Sequence, residues 1–286
     1  MTKKTEAARW KRRGTPLHYE VRGTRGPKVV FIMGLGAQGL AWAPQRDPLS
    51  SDFQTLIYDH PGIGGSARTG VHLHLEDHAD DLAGLLRELR WTDVHLVGVS
   101  MGGMVAQVMA GRHTDLVQST CLVATSFGGW RMSRAIAPNT KLLIDCFIGT
   151  PRKRGRATLR MLFPDEFLDN GGKRQLKSNF YPVLGPPPSP FELVRQTVAA
   201  SRFSGLSYIE SLKSLPVTVV KPSLDALIPP SESDRLAKAI PNSRLIDFPA
   251  SGHGIGWQNP DGLSELIINH VRFAENRELA PIRFAS

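Results

Sequence analysis

Val94-His95-Leu96-Val97-Gly98-Val99-Ser100-Met101-Gly102-Gly103-Met104-Val105-Ala106-Gln107-Val108-Met109-Ala110 decides the fold. A short apolar run leads into Gly-x-Ser-x-Gly and out into a second, helix-like run. The first has the composition of a strand buried on both faces. Strand, pentapeptide and helix in that order form a turn so tight that the serine must take a strained backbone conformation, with its hydroxyl pushed out above the sheet. Glycines two residues before and after keep neighbouring side chains apart there. The same five letters also occur in ordinary strand-to-helix turns; it is the flanking strand and helix that mark Ser100 as a candidate nucleophile.

Outward from Ser100 the same alternation repeats. Pro16–Arg22, Val29–Met33 and Gln54–Tyr58 have the pattern of strands. Glu76–Arg90 is predicted as a helix, because Ala79, Leu82, Ala83, Leu86 and Leu89 recur at helical spacing. Val117–Ala124, Val217–Val220 and Arg244–Phe248 are further strands. Ser231–Ile240, with Ser231 as N-cap, and Pro260–Phe273, with proline in its first turn, are helices. Strands alternating with helices imply an α/β fold: a doubly wound, mostly parallel sheet, whose ligands bind beyond the carboxyl ends of the strands. Residues 129–212 break the rhythm with helical stretches and the run Leu184-Gly185-Pro186-Pro187-Pro188-Ser189-Pro190, and are expected to form a helical cap. The expected organisation is a basic flexible tail over 1–14, a core over 15–128 and 213–275, the cap over 129–212, and a C-terminal tail over 276–286.

The 286 residues suffice for one large domain with an insertion. No apolar run reaches the roughly 18 residues of a membrane span, and the N-terminus lacks the apolar stretch of a secretory signal. Two cysteines, Cys121 and Cys146, are too few for a disulfide framework and suit buried thiols in a reducing, cytoplasmic setting. The formal charge of +9 is uneven: residues 1–28 hold nine Lys/Arg against two Glu, and 152–160 hold five more. Such runs suit a solvated surface, peripheral contact with an anionic membrane, an acidic substrate or, at the N-terminus, an organellar address. Trp10 is the only aromatic set among the basic residues of the two runs, so no nucleic-acid partner is expected. Neither a P-loop nor a Gly-x-Gly-x-x-Gly turn appears, so no nucleotide cofactor is implied. His72, His74 and His78 cluster without a metal-ligand spacing and read as solvated histidines at a helix start; no metal is expected.

A serine hydroxyl needs a histidine to take its proton, and the histidine needs a carboxylate. Of the nine histidines, only His253, in Ser251-Gly252-His253-Gly254, follows Ser100 on a loop at a strand end. Asp225 is the one carboxylate in the loop after Val217–Val220. The order Ser100, Asp225, His253 is distinct from the other common triad orders. Backbone amides best hold an oxyanion. Met101 supplies one, and Leu35, with Gly34 and Gly36 as neighbouring candidates, the second. Gly34, Phe127, Leu227, Ile228 and Trp257 are candidate pocket residues, each also a plausible core residue. Asp59, in Asp59-His60-Pro61-Gly62, reads as turn architecture.

Met33-Gly34-Leu35-Gly36 with Trp42, Asp59 through Ser66, Gly98 through Gly103, and Asp225 with Gly252-His253-Gly254 together resemble the α/β-hydrolase fold superfamily, in its capped AB hydrolase-1 branch of serine esterases and monoacylglycerol-lipase-like enzymes. The match covers about three fifths of the chain. Two positions depart from the common pattern: Met33 stands where many relatives carry histidine, and Lys221-Pro222-Ser223 lacks a glycine before the acid. The resemblance implies a serine hydrolase that cleaves a fairly hydrophobic carboxylic ester without a cofactor. Lactone, thioester and C–C bond hydrolysis and perhydrolysis share the triad, and a non-catalytic receptor or scaffold shares the fold.

Overall fold

The computed structural model describes residues 6–12, 15–68, 72–128, 140–147, 149–180 and 187–275. Eight strands form one sheet in the order β1-β2-β4-β3-β5-β6-β7-β8. They are β1 (Glu6–Arg12), β2 (Thr15–Arg22), β3 (Lys28–Ile32), β4 (Gln54–Tyr58), β5 (Val94–Val99), β6 (Val117–Val123), β7 (Val217–Pro222) and β8 (Arg244–Phe248). Pairing is antiparallel for β1 with β2 and β2 with β4, and parallel from β4 through β8. The helices are α1 (Ala43–Leu49), α2 (Leu75–Glu88), α3 (Met101–Arg112), α4 (Thr140–Phe147), α5 (Pro151–Leu162), α6 (Lys173–Asn179), α7 (Pro190–Arg202), α8 (Ile209–Lys213), α9 (Pro230–Ala239), α10 (Ile255–Gln258) and α11 (Pro260–Ala274).

Side chains alternate along each central strand and divide the core in two. Val30, Ile32 and Leu96 face a cluster completed by α2, α3, α8 and α9. Val29, Phe31, Val97 and Val99 face one completed by α1 and α11. Both faces of the central strands β3 and β5 are therefore dry, which accounts for their apolar sequences. The cap carries a small core of its own: Phe163, Leu168, Leu176 and Phe180.

Several boundaries differ from expectation. The basic N-terminal stretch is not wholly a tail, because Glu6–Arg12 pairs with β2 from Glu6↔Val21 to Arg12↔Thr15. It is the outermost strand of the sheet, with a neighbour on one side alone among the described residues. Residues 1–5, 13–14, 129–139, 148, 181–186 and 276–286 of the expected tails and cap lie outside the described residues. Helix α9 begins at Pro230, and Ser231 lies inside it rather than capping it; a proline at the first position has a fixed φ and no N–H to satisfy. The neck of the cap is the bridge between Gly128 and Ser204, with Gly205 N–H donating to the Phe127 carbonyl at 2.8 Å. Residues 205–212, expected in the cap, instead belong to the core, where Ile209 and Leu212 are buried. No helix among the described residues is long and apolar enough to cross a membrane.

Candidate active site

Ser100 has φ 56° and ψ −123°, a conformation a side chain rarely adopts, held where β5 ends and α3 begins. Its N–H donates to the Val123 carbonyl at 3.0 Å, and its own carbonyl accepts from the Thr125 hydroxyl at 2.7 Å. A Cβ at Gly98 would collide with the Gly102 carbonyl, and one at Gly102 with the Ile32 carbonyl. The two glycines of the motif are thus required by close approach. Strain of this type costs about 1–3 kcal/mol and persists only where the surroundings impose it.

Asp225 follows β7 and His253 follows β8, neighbouring parallel strands whose carboxyl ends lie on the same side as that of β5. His253 Nδ1 lies 2.7 Å from Asp225 Oδ2, and both side chains are buried. The second oxygen, Oδ1, accepts from the Leu227 and Ile228 amides, each at 2.8 Å. A carboxylate only accepts, so Nδ1 carries the proton and Nε2 is left with its lone pair. The two loops are tied together by the Leu224 N–H to the Ser251 carbonyl at 2.9 Å. Lys221-Pro222-Ser223 therefore holds the acid in place without the glycine common at that point.

The loop after β3 lies against the serine: a Cβ on Gly34 would sit 3.1 Å from Ser100 Cβ and 3.7 Å from Oγ. The Gly36 amide is already donated, to Gln196 Oε1 at 2.7 Å. That removes Gly36 as an oxyanion donor and leaves Leu35, with Gly34 next to it, and Met101, the last at the first position of α3, where N–H groups lack intrahelical partners. Where many relatives carry a histidine in this loop, His60 reaches in from the loop after β4. Its Nε2 donates to the Met33 carbonyl at 3.0 Å. Burial lowers the His60 pKa to about 4, so the ring is neutral at pH 7. Asp59 is turn architecture: Oδ1 accepts from Gly39 N–H at 2.8 Å, and Oδ2 from Gly65 N–H at 2.9 Å.

The cap docks on both sides of this centre. Gly254 N–H donates to the Leu162 carbonyl at 2.7 Å, and the Phe163 ring fills the space a Cβ on Gly254 would need. On the other side α7 lays Glu192 against Gly62, and Arg195 joins Glu192 at 3.0 Å and His72 Nδ1 at 3.2 Å. His72 in turn bonds Asp81 at 2.8 Å. His72 and His78 are therefore not solvated. His78 is 2% exposed and lies between His60 and His72, edge-on to the first and tilted to the second, with ring centroids 5.0 and 5.5 Å away. His74 alone of the three is exposed. Among the described residues no group of three His, Cys, Asp or Glu is arranged to hold a metal.

A cavity of about 50 Å³ adjoins His253, walled by Met33, Trp42, Gln45, Val99, Ile255 and Trp257 among others. Of the expected pocket residues, Trp257 lines it. Its indole Nε1 donates to the Ala41 carbonyl at 2.9 Å, and its ring packs 5.1 Å from Phe180 of the cap. Gly34 touches Ser100. Phe127 and Ile228 are buried in the core and Leu227 packs against it, Leu227 and Ile228 also serving Asp225 through their amides. Met33, Trp42 and Ile255 carried no pocket signal in the sequence beyond their apolar character.

A sequence model of the alpha/beta hydrolase fold family matches residues 27–145. A protein of Caulobacter sp. (strain K31) named "Putative carbamate hydrolase RutD" is 30% identical over 266 residues, covering 89% of this chain and 95% of that protein. The chain belongs to the alpha/beta hydrolase fold family. Among solved members, a bromoperoxidase-like protein of Mycobacterium tuberculosis H37Rv, titled "Putative non-heme bromoperoxidase BpoC", superposes with a TM-score of 0.77 at 25% identity, covering 90% of this chain and 96% of that one. A thermophilic esterase from Thermogutta terrifontis gives 0.75 at 24% identity, with 96% and 99% covered, and so shares the alpha/beta hydrolase fold. The protein is a hydrolase of that fold, and its Ser, Asp and His stand at the loop positions expected from the sequence order.

Proposed function

We propose that the protein is a serine hydrolase that cleaves a carboxylic ester of a small, largely apolar molecule through an acyl-enzyme on Ser100. The observation that carries this reading is the buried His253–Asp225 pair at 2.7 Å, on strand-end loops at the same edge of the sheet as a serine held at φ 56°. Ser100 Oγ attacks the ester carbonyl while His253 Nε2 takes its proton. The negative charge developing on the carbonyl oxygen is met by the Leu35 and Met101 amides, fixed before the reaction begins. His253 returns the proton to the leaving alcohol, and Asp225 stabilises the imidazolium between the two steps. A water then gives its proton to His253 and attacks the acyl-enzyme, releasing the acid and restoring Ser100. The apolar walls beside His253 favour an apolar group on the substrate.

A second reading, hydrolysis of a carbamate, is favoured by the 30% identical relative whose name carries that activity. The same residues suffice, although nitrogen donation makes the carbamoyl carbon less electrophilic and its deacylation slower. A series of p-nitrophenyl acetate, butyrate, octanoate and N-methylcarbamate, run on wild type and Ser100→Ala, separates the two. The ester reading expects turnover of acetate or butyrate ahead of the carbamate, with kcat lower by about 10³-fold or more in Ser100→Ala. Faster turnover of the carbamate than of any ester replaces it with the second reading. Equal rates for wild type and Ser100→Ala overturn both.

A further inference from the structure

The loop that carries Leu35 is pinned at its two ends by residues outside it. At Met33 the carbonyl accepts from His60 Nε2 at 3.0 Å. At Gly36 the amide donates to Gln196 Oε1, a residue of the cap 160 positions away, at 2.7 Å. The amide of Leu35 lies between these two fixed points. Gly36 has φ +73°, and a loop with glycine at both 34 and 36 has little preference of its own for one conformation. An external acceptor is therefore what selects which way the Gly36 amide turns. Gln196 is fit for that work: it is 1% exposed, it stands on the thirteen-residue helix α7, and its neighbour Leu193 presses on Gly36. Helix α7 is itself held down by Arg195, which donates to His72 Nδ1 at 3.2 Å. The Gln196 Nε2 meets no acceptor among the described residues, so the bond to Gly36 is the polar tie this side chain makes.

We propose that Gln196 is a positioning residue for the oxyanion hole: by taking the Gly36 amide it turns the Leu35 amide toward the reacting carbonyl oxygen, and thereby makes the hole depend on a seated cap. This rests on the Ser100 hydrolase reading above. Gln196 touches no reacting atom. It acts through the loop, so its loss weakens the transition state more than the ground state.

Gln196→Met keeps the shape and removes the acceptor, Gln196→Asn withdraws the acceptor by one methylene, and Gln196→Glu retains an acceptor in either protonation state. The readouts are kcat and KM on p-nitrophenyl butyrate and the inhibition constant of a trifluoromethyl ketone, whose tetrahedral adduct places an oxyanion in the hole. Deleting a whole oxyanion donor costs about 10²–10³ in kcat, so misplacing one is expected to lower kcat about 10- to 100-fold in Gln196→Met and Gln196→Asn. KM should stay within about twofold, and ketone affinity should fall by the same factor as kcat. Gln196→Glu is expected to recover most of the loss. Folded Gln196→Met or Gln196→Asn with wild-type kcat, a loss confined to KM, or a Gln196→Glu variant no better than Gln196→Met overturns the proposal. Activity in Ser100→Ala equal to wild type overturns the hydrolase reading beneath it, which a wild-type-like Gln196→Met alone does not.

Discussion

At Asp225 the two oxygens of one carboxylate do separate work. Oδ1 takes the Leu227 and Ile228 amides and fixes the side chain; Oδ2 takes His253 Nδ1. Asp225→Asn retains the size but must present its NH₂ either to two backbone donors or to the histidine, and both are mismatched. The favoured compromise turns the NH₂ to His253 and forces the proton onto Nε2, the wrong tautomer for a base. Such a variant is expected to fold and to lose about 10³–10⁴ in kcat on the preferred substrate; loss of less than tenfold would show that Asp225 does not orient His253. Gly254→Ala tests the cap's hold on the same loop, because its Cβ would lie 2.6 Å from Phe163 Cζ. A lowered thermal midpoint with reduced activity is expected, and restoration of both by Phe163→Leu would confirm the contact. The three candidate triad residues were legible because each stands alone of its type on its loop. His60 was not, although it braces the loop in place of the missing histidine, since a residue ahead of the serine in sequence gives no sign of folding back onto Met33.

The element that matters most beyond the sheet is α7. Glu192 and Arg195 are almost fully buried and 3.0 Å apart, with Arg68 Nε 3.3 Å from Glu192. Removing Arg195 leaves a carboxylate with one exposed cation for company. Arg195→Leu is expected to lower stability by about 3–5 kcal/mol, and Arg195→Leu with Glu192→Gln by less than that single change. Denaturant midpoints of the three variants test this; equal midpoints for wild type and Arg195→Leu would contradict it. Helical spacing made α2 visible, because a packed helix must repeat its apolar residues, and a proline in the first turn marked α11. The partners of α7 were invisible for the opposite reason. Its bonds to His72 and Gly36 span 123 and 160 positions, and no local pattern encodes them. His72 and His78 accordingly looked solvated until α7 covered them.

Over the whole molecule, buried neutral histidines set the response to acid. Burial lowers the pKa of His60 to about 4 and of His270 to about 3, and holds His78 well below its ordinary value. His270 joins β6, β7 and α11 through Ser119 at 2.8 Å and Thr218 at 2.9 Å. Above about pH 6.5 these rings are neutral folded or unfolded and contribute no pH dependence. Below it the unfolded chain binds protons that the folded chain refuses, so stability falls as pH drops toward 4, by about 3 kcal/mol for His60 alone. Denaturation midpoints should be level between pH 7 and 8 and decline steeply from pH 6.5 to 4.5; a level profile across that range would contradict the burial of these rings. The α/β class and the parallel order followed from the alternation of short apolar runs with amphipathic ones, and the expectation of a cap from its interruption. The strand β1 did not, because its basic sequence reads like that of a solvated tail.

We propose that Ser100 is a nucleophile activated by His253. Intact-protein mass spectrometry after treatment with a fluorophosphonate tests it most directly. One covalent adduct is predicted on wild type, mapped to Ser100, absent from Ser100→Ala and formed far more slowly in His253→Ala. Folded wild type that takes up no adduct, or an adduct that persists in Ser100→Ala, would contradict it.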